Sequence, residues 1–166
     1  MSKPVTIAIL ASHQLVFEAV RRILEGGEVK VEIVDELKSI KDLPRKYHSR
    51  PVDIVILVYF RLSQMSLKHI RQIKKRVPDA KLIMINMVYD TRLVTDALEQ
   101  GLDAYIYRGD ISKELQEALA MVIRGEVPFV SKELAGKIEF RADSREVKKK
   151  ITWPTFPGGN ARFLIA

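Results

Sequence analysis

The stretch Ile54-Val55-Ile56-Leu57-Val58 decides the fold, because a short run of consecutive apolar residues predicts a strand that is buried on both faces. Such strands are typical of parallel sheets, which helices cover on both sides. Similar runs occur at Val5–Leu10, Leu82–Ile85 and Ala104–Tyr107, and the alternating pattern of Val29–Val34 predicts a further strand. The sequence therefore predicts five strands.

Segments with apolar residues at helical spacing follow each of these strands. They are Leu15–Leu24, the polar and basic Leu37–His48, Leu67–Lys74, Val94–Leu98 and Ile111–Ile123. Parallel strands are joined by right-handed crossovers, usually through a helix. Five strands that alternate with five helices therefore predict an α/β fold with a doubly wound, five-stranded parallel sheet and helices on both faces.

The chain divides into one main domain and a short appendage. We expect the domain over residues 1–126 and a short helix with linker, capped by Ser131, over residues 127–140. A basic tail rich in proline, glycine and aromatic residues follows over residues 141–166. The tail has too many helix and strand breakers for a second folded domain.

Composition excludes several classes of site. The chain has no cysteine, which removes disulfides and thiolate metal sites. The three histidines, His13, His48 and His69, match no common zinc spacing, so we expect no metal and no cofactor, with His48 and His69 at the surface. No apolar run approaches the roughly 18 residues of a membrane span, and we expect a cytoplasmic protein with no membrane contact.

Charge is distributed unevenly along the chain, whose net charge is +7. Lys38–Lys81 holds 12 Lys or Arg against 3 Asp or Glu, whereas Asp90–Glu126 holds 4 against 8. Such asymmetry fits contact with nucleic acid, an acidic partner or a second copy, and equally a pair of solvated helix faces. The candidate basic patch consists of Lys68, Arg71, Lys74, Lys75 and Arg76.

Four segments carry a family resemblance: Ile9–Val16, Val52–Leu57, Pro78–Ile83 and Ala97–Tyr105. Together they resemble the receiver domain of two-component response regulators, in the NarL/FixJ group usually fused to a LuxR-type helix-turn-helix. The last segment is the most specific, since the family has Ala-Leu, two further residues and Gly-Ala-Asp-Gly-Tyr there. The resemblance implies a receiver-like domain with strand order 2-1-3-4-5 and a role in signal transduction and transcription regulation.

The resemblance also implies a phosphorylation site at the carboxyl ends of the strands. In the family an acidic pair binds Mg²⁺, an Asp accepts the phosphoryl group, and a hydroxyl and a Lys hold its oxygens. By position, the acidic pair falls on Ala11 and Ser12 and the phosphoacceptor on Val58. The hydroxyl position falls on Asn86 and the Lys position on Arg108.

These substitutions predict a degenerate pseudo-receiver. Valine is not a nucleophile, and Ala11 and Ser12 provide no carboxylate to bind Mg²⁺. The nearest carboxylate, Asp53, begins its strand and so should lie at the opposite end of the sheet. Tyr105 occupies the family's switch-aromatic position. Receivers commonly dimerise near this position, and the matching surface here comprises Asp90, Arg92, Asp96, Glu99, Lys113, Glu117 and Arg124.

The sequence thus predicts a phosphorylation-independent regulatory module rather than an enzyme. It would act through a protein partner, a homodimer or both, without direct sequence-specific DNA binding by this chain alone. Two alternatives stay open. The vacated pocket could bind an anion or small ligand, or the chain could be a truncated DNA-binding response regulator.

Overall fold

A computed structural model of the chain describes residues 2–43, 47, 51–60, 64–87, 90–107 and 109–138. The strands are β1 (Val5–Leu10), β2 (Val31–Leu37), β3 (Ile54–Tyr59), β4 (Lys81–Asn86), β5 (Ala104–Tyr107) and β6 (Phe129–Val130). The α-helices are α1 (Gln14–Glu25), α2 (Gln64–Arg76), α3 (Thr91–Glu99), α4 (Ile111–Ile123) and α5 (Lys132–Ala135). In these ranges, no helix is both long enough and apolar enough to cross a membrane.

All six strands are parallel and lie in the order β2-β1-β3-β4-β5-β6. The prediction of a parallel α/β sheet is confirmed, but the five-stranded sheet is wrong by one strand. The missed strand, β6, joins the sheet through hydrogen bonds from the Phe129 N–H to the Asp103 carbonyl and from the Ser131 N–H to the Tyr105 carbonyl. Two residues are too few to show a hydrophobic period, so the sequence pattern could not predict β6.

Alternate side chains of each strand supply two core layers. Ile7 and Ile9 of β1 face the layer of α1 and α4, which Phe17 and Leu119 help to fill. Neighbours on the strand point to the other face, so Leu10 joins the layer of α2, α3 and α5. The central strands are buried on both faces, as their continuous apolar sequences predict.

The segment that follows β1 and α1 departs from its prediction. β2 starts later than the expected Val29 and runs on to Leu37, with an irregularity at Val34 where the register with β1 shifts. The helix predicted from Leu37 is wrong over its described part. Within residues 37–43 the chain forms a 3-10 turn, Ile40–Asp42, which a capping box between Ser39 and Asp42 begins.

The short helix predicted after Ser131 is confirmed as α5. Ser131 occupies its N-cap position, but the side chain does not cap the helix. The hydroxyl oxygen instead accepts the backbone N–H of Tyr107 at 2.7 Å. The residues after 138, including the whole tail over 141–166, lie outside the described residues.

Candidate functional site

The carboxyl edge of the sheet brings together four of the five positions that the resemblance singles out. Ala11 and Ser12 follow β1, Val58 is the penultimate residue of β3, and Asn86 ends β4. The strands share one direction, so these residues meet at one edge. The fifth position, Arg108, lies outside the described residues.

The register fixes the neighbours of these positions. Val58 pairs with Ile85 of β4, while Asn86 pairs with Tyr59 on one side and Tyr107 on the other. Ala11 is buried and Val58 is half-buried, whereas Ser12 is exposed. Asn86 is fully buried. Two of the four positions therefore hold apolar side chains.

The donor set at this edge does not fit Mg²⁺, which the receiver fold would imply. Magnesium favours carboxylate oxygens in octahedral geometry. Ala11 and Val58 offer no oxygen from their side chains, and Ser12 and Asn86 offer only neutral ones. Within the residues that the structure describes, no group of three or more His, Asp or Glu side chains could hold a metal ion.

Asp53 lies at the opposite edge. Its carboxylate accepts hydrogen bonds from the backbone N–H and the hydroxyl of Thr6, each at 2.9 Å, near the start of β1. The expected position of Asp53, at the far end of the strand from Val58, is therefore confirmed. A carboxylate held in this way at the amino edge cannot replace the missing acceptor.

Aromatic side chains border the candidate site. The imidazole of His13, at the N-cap of α1, lies with its ring centroid 6.1 Å from that of Phe60, just after β3. Tyr59 is the last residue of β3 and directly precedes Phe60. Its hydroxyl lies 2.9 Å from Nδ1 of His69 on α2. Burial raises the pKa of Tyr59 to about 12 and lowers the pKa of His69. The surface position expected for His69 is wrong, because this residue is half-buried and hydrogen-bonded to the Tyr59 hydroxyl.

Tyr105, at the switch-aromatic position, is fully buried in the core layer of α2, α3 and α5. Its pKa is raised by burial and, more weakly, by Tyr107 and Asp90. Asp90 has a local task, since its carboxylate caps α3 by accepting the N–H groups of Arg92 and Leu93 at 3.0 and 3.1 Å.

The predicted interface residues divide between two helices. Arg92, Asp96 and Glu99 lie on α3, and Lys113, Glu117 and Arg124 lie on or directly after α4. Arg92, Lys113 and Arg124 are exposed and the three acids are half-buried. Arg124 already forms an ion pair with Glu126 at 3.1 Å. The sixth strand lies along β5 between the two helices, a feature that the prediction lacked.

The candidate basic patch is smaller than its sequence indicates. Lys74 is half-buried and pairs with the Asp103 carboxylate at 3.1 Å, and it also donates to the Ala80 carbonyl. Arg76 donates to the Ile40 carbonyl at 3.0 Å. Only Lys68, Arg71 and Lys75 extend into solvent without such a bond among the contacts described.

Two features escaped the sequence reasoning. A cleft of about 460 Å³ lies beside β2, lined by Arg21, Glu25 and β2 residues, and includes none of the predicted site residues. At the carboxyl edge, Leu15, Phe60 and Met87 are 75%, 50% and 42% exposed. Each lies at the end of a helix or strand, where an apolar residue gives no distinct pattern.

Comparison with known proteins supports the fold. Response regulator protein VraR of Staphylococcus saprophyticus is 24% identical over 126 residues, which cover 76% of this chain and 60% of that protein. The isolated receiver (REC) domain of RcsB from Salmonella enterica serovar Typhimurium superposes with a TM-score of 0.68 at 21% identity, covering 78% of this chain and 95% of that one. A structure of two RcsB dimers bound to two parallel DNAs also gives 0.68, at 18% identity, covering 80% of this chain and 66% of that one.

Homologues of this chain are therefore response regulators, and the chain has the receiver-domain fold. The resemblance seen in the sequence is confirmed at that level. No family model matches the chain. The chain spans about three fifths of the length of the curated relatives it matches.

Proposed function

We propose that this chain is a regulatory module with a receiver fold that signals through protein contact and without accepting a phosphoryl group. The observation that supports this most strongly is Val58. It stands in the family's acceptor position, half-buried and paired with Ile85, and its side chain has no atom that could attack a phosphorus centre. Ala11, buried where the family has the first acid of the pair, removes a Mg²⁺ ligand as well.

Incubation with acetyl phosphate and Mg²⁺, followed by intact-mass measurement, tests the proposal. We expect no species heavier by one phosphoryl group, about 80 Da. The comparison is a triple variant, Ala11→Asp with Ser12→Asp and Val58→Asp, which restores the acidic pair and the acceptor. An adduct on the wild-type chain that peptide mapping assigns to the carboxyl edge would overturn the proposal.

The protein contact includes, in this proposal, a second copy of the chain. RcsB, whose receiver domain superposes on this chain, has been observed as dimers. Mixed charges on α3 and α4, among them the exposed Arg92 and Lys113, suit the rim of an interface. These helices lie on opposite faces of the sheet, on either side of β5 and β6.

Light scattering at low and high salt tests self-association. A dimer that persists at high salt supports an apolar interface, because screening over a Debye length of about 3 Å at 1 M salt removes exposed ion pairs. A dimer that dissociates at high salt indicates that the basic stretch Lys38–Lys81 of one copy contacts the acidic stretch Asp90–Glu126 of the other. A monomer under both conditions would rule out self-association and leave a separate protein as the partner.

A further inference from the structure

Three of the four large apolar side chains that stand exposed in the described residues lie at one edge of the sheet. Leu15 is in the first turn of α1, and Phe60 and Met87 directly follow β3 and β4. The last residues of those two strands, Tyr59 and Asn86, are register partners, so Phe60 and Met87 leave the sheet side by side. We call Leu15, Phe60 and Met87 the carboxyl-edge patch.

The patch adjoins the positions that correspond to the family's phosphorylation site. His13, one residue after Ser12, brings its ring against Phe60, and Leu15 is two residues further on. Val58, which is half-buried, adds apolar surface at the end of β3. In a receiver that binds a metal and phosphate this edge would need charge, whereas here three large apolar side chains stand exposed at it. Neighbouring exposed apolar side chains are typical of docking surfaces.

The described chain ends beside this edge. β6 runs parallel to β5, so the chain emerges from β6 at the carboxyl edge and turns there into α5. A carboxylate oxygen of Glu133 in α5 lies 3.4 Å from the place of a Cβ on Gly109, in the loop after β5. Ile138 is packed in the same core layer as Tyr107. The chain therefore leaves the sheet at this edge from β6, with β5 between it and β4, which Met87 follows.

The chain beyond Ile138 has the length and chemistry to cover the patch. Residues 139–152 can span up to about 45 Å when extended. Neighbouring strands are only about 4.8 Å apart, so the patch lies within about 15 Å of β5. Residues 153–166 contain one charged side chain, Arg162, and a set of large apolar ones: Trp153, Phe156, Phe163, Leu164 and Ile165.

We propose that the segment 153–165 of this chain docks intramolecularly on the carboxyl-edge patch. Burying apolar side chains of both surfaces drives the docking. The basic residues Lys148, Lys149 and Lys150 belong to the connecting part of the sequence and not to the docking segment. The edge that binds phosphate in the family thus becomes a binding site for the chain's own tail, independently of whether the protein accepts phosphate.

The chain contains a single tryptophan, Trp153, which reports directly on the docked segment. In the full-length chain we expect its emission to be shifted to the blue and to be poorly quenched by acrylamide. Phe60→Glu should shift the emission to the red and raise the quenching constant about twofold or more, because a buried charge displaces the segment. Met87→Glu serves as a second variant should Phe60→Glu fail to fold by circular dichroism.

Ile123→Glu is the matched control. Ile123 is 46% exposed, close to the exposure of Phe60, but it ends α4 and so lies at the amino edge of the sheet. The same charge there should leave the emission of Trp153 unchanged. A wild-type Trp153 quenched as freely as N-acetyltryptophanamide would overturn the proposal, as would equal responses to Phe60→Glu and Ile123→Glu. If the protection of Trp153 from acrylamide were lost on dilution of the protein, the proposal would also be overturned. The docked segment would then be the tail of a second copy.

Discussion

The Ser131 hydroxyl donates a hydrogen bond to the Glu114 carboxylate in the interior of the protein. Ser131 is fully buried and Glu114 is 8% exposed. The same hydroxyl oxygen accepts the Tyr107 N–H, so one side chain connects α4, the end of β5 and the start of α5. Ser131 therefore serves as a connector between three elements rather than as a helix cap.

Ser131→Ala should destabilise the protein by about 1–3 kcal/mol, because it leaves both the Tyr107 N–H and the Glu114 carboxylate without this partner in a buried place. Urea unfolding measures the change. Ser112→Ala is the control, since Ser112 is exposed on the first turn of α4 and should change stability by no more than about 0.5 kcal/mol. Equal effects of the two substitutions would contradict the connecting role of Ser131.

Glu114 should make stability depend on pH. Burial raises its pKa above the ordinary value of 4.5, against hydrogen bonds from Ser131 and the Lys132 backbone that lower it. The folded state therefore holds this proton more tightly than the unfolded chain. The stability that protonation contributes is fully present below pH 4.5 and is lost as the pH rises through the raised pKa.

Glu114→Gln removes this titration and provides the comparison. The free energy of unfolding of the wild type minus that of the variant should fall as the pH increases from about 4 to about 7. Urea unfolding at several pH values measures the difference. A difference that stays flat or increases with pH would show that the carboxyl group is not held in its protonated form by burial.

Lys74 should matter for stability although it belongs by sequence to a basic surface stretch. Its ammonium group pairs with Asp103, whose carboxylate also accepts the buried N–H of Leu82 at 2.8 Å. The side chains of Lys74 and Asp103 are 26% and 11% exposed, so the pair is partly screened by water. Lys74→Met should therefore cost about 1–2 kcal/mol.

Lys75→Met is the matched control for Lys74. Lys75 is the next residue of α2, is exposed, and loses the same charge on substitution. The free energy of unfolding of Lys75→Met, from thermal or urea unfolding, should differ from that of the wild type by no more than about 0.5 kcal/mol. If both variants lost the same stability, the cause would be the lowered net charge and not the pair with Asp103.

The contrast between Lys74 and Lys75 shows what the sequence could and could not predict. Apolar runs and helical spacing predicted β1, β3, β4 and β5 and the helices α1, α2, α3 and α4, because the burial of a strand or helix face depends on residues close in sequence. Lys74 pairs with Asp103, which is 29 residues away in sequence, and Arg76 donates to the carbonyl of Ile40, which is 36 residues away. Such partners depend on the completed fold.

The candidate site shows the same division. The resemblance identified Ala11, Ser12, Val58 and Asn86, and the parallel sheet brings them to one edge. The exposure of Phe60 and Met87 at that edge depends on how far each strand extends before the chain turns. The two-residue strand β6 depends on the hydrogen bonds of Asp103 and Tyr105, which no local pattern reveals.

The reduced basic patch leads to a prediction about nucleic acid. With Lys74 and Arg76 bonded within the protein, Lys68, Arg71 and Lys75 are the cations of α2 that remain for a polyanion. Three phosphate contacts give weak, non-specific binding. Its association constant should fall with about the third power of the salt concentration. Fluorescence anisotropy with labelled duplexes of two unrelated sequences should detect equal binding at low salt, and almost none at about 0.15 M salt.

A variant with Lys68→Ala, Arg71→Ala and Lys75→Ala should abolish even the low-salt binding, while its unfolding curve matches that of the wild type because all three side chains are exposed. A control that replaces the acids Glu18 and Glu25 of α1 with Gln should bind no more weakly than the wild type. If one duplex bound at least about tenfold more tightly than the other at physiological salt, base readout would be required, since phosphate contacts carry no sequence information. The described domain would then read DNA directly, and the choice of a protein as its partner would be wrong.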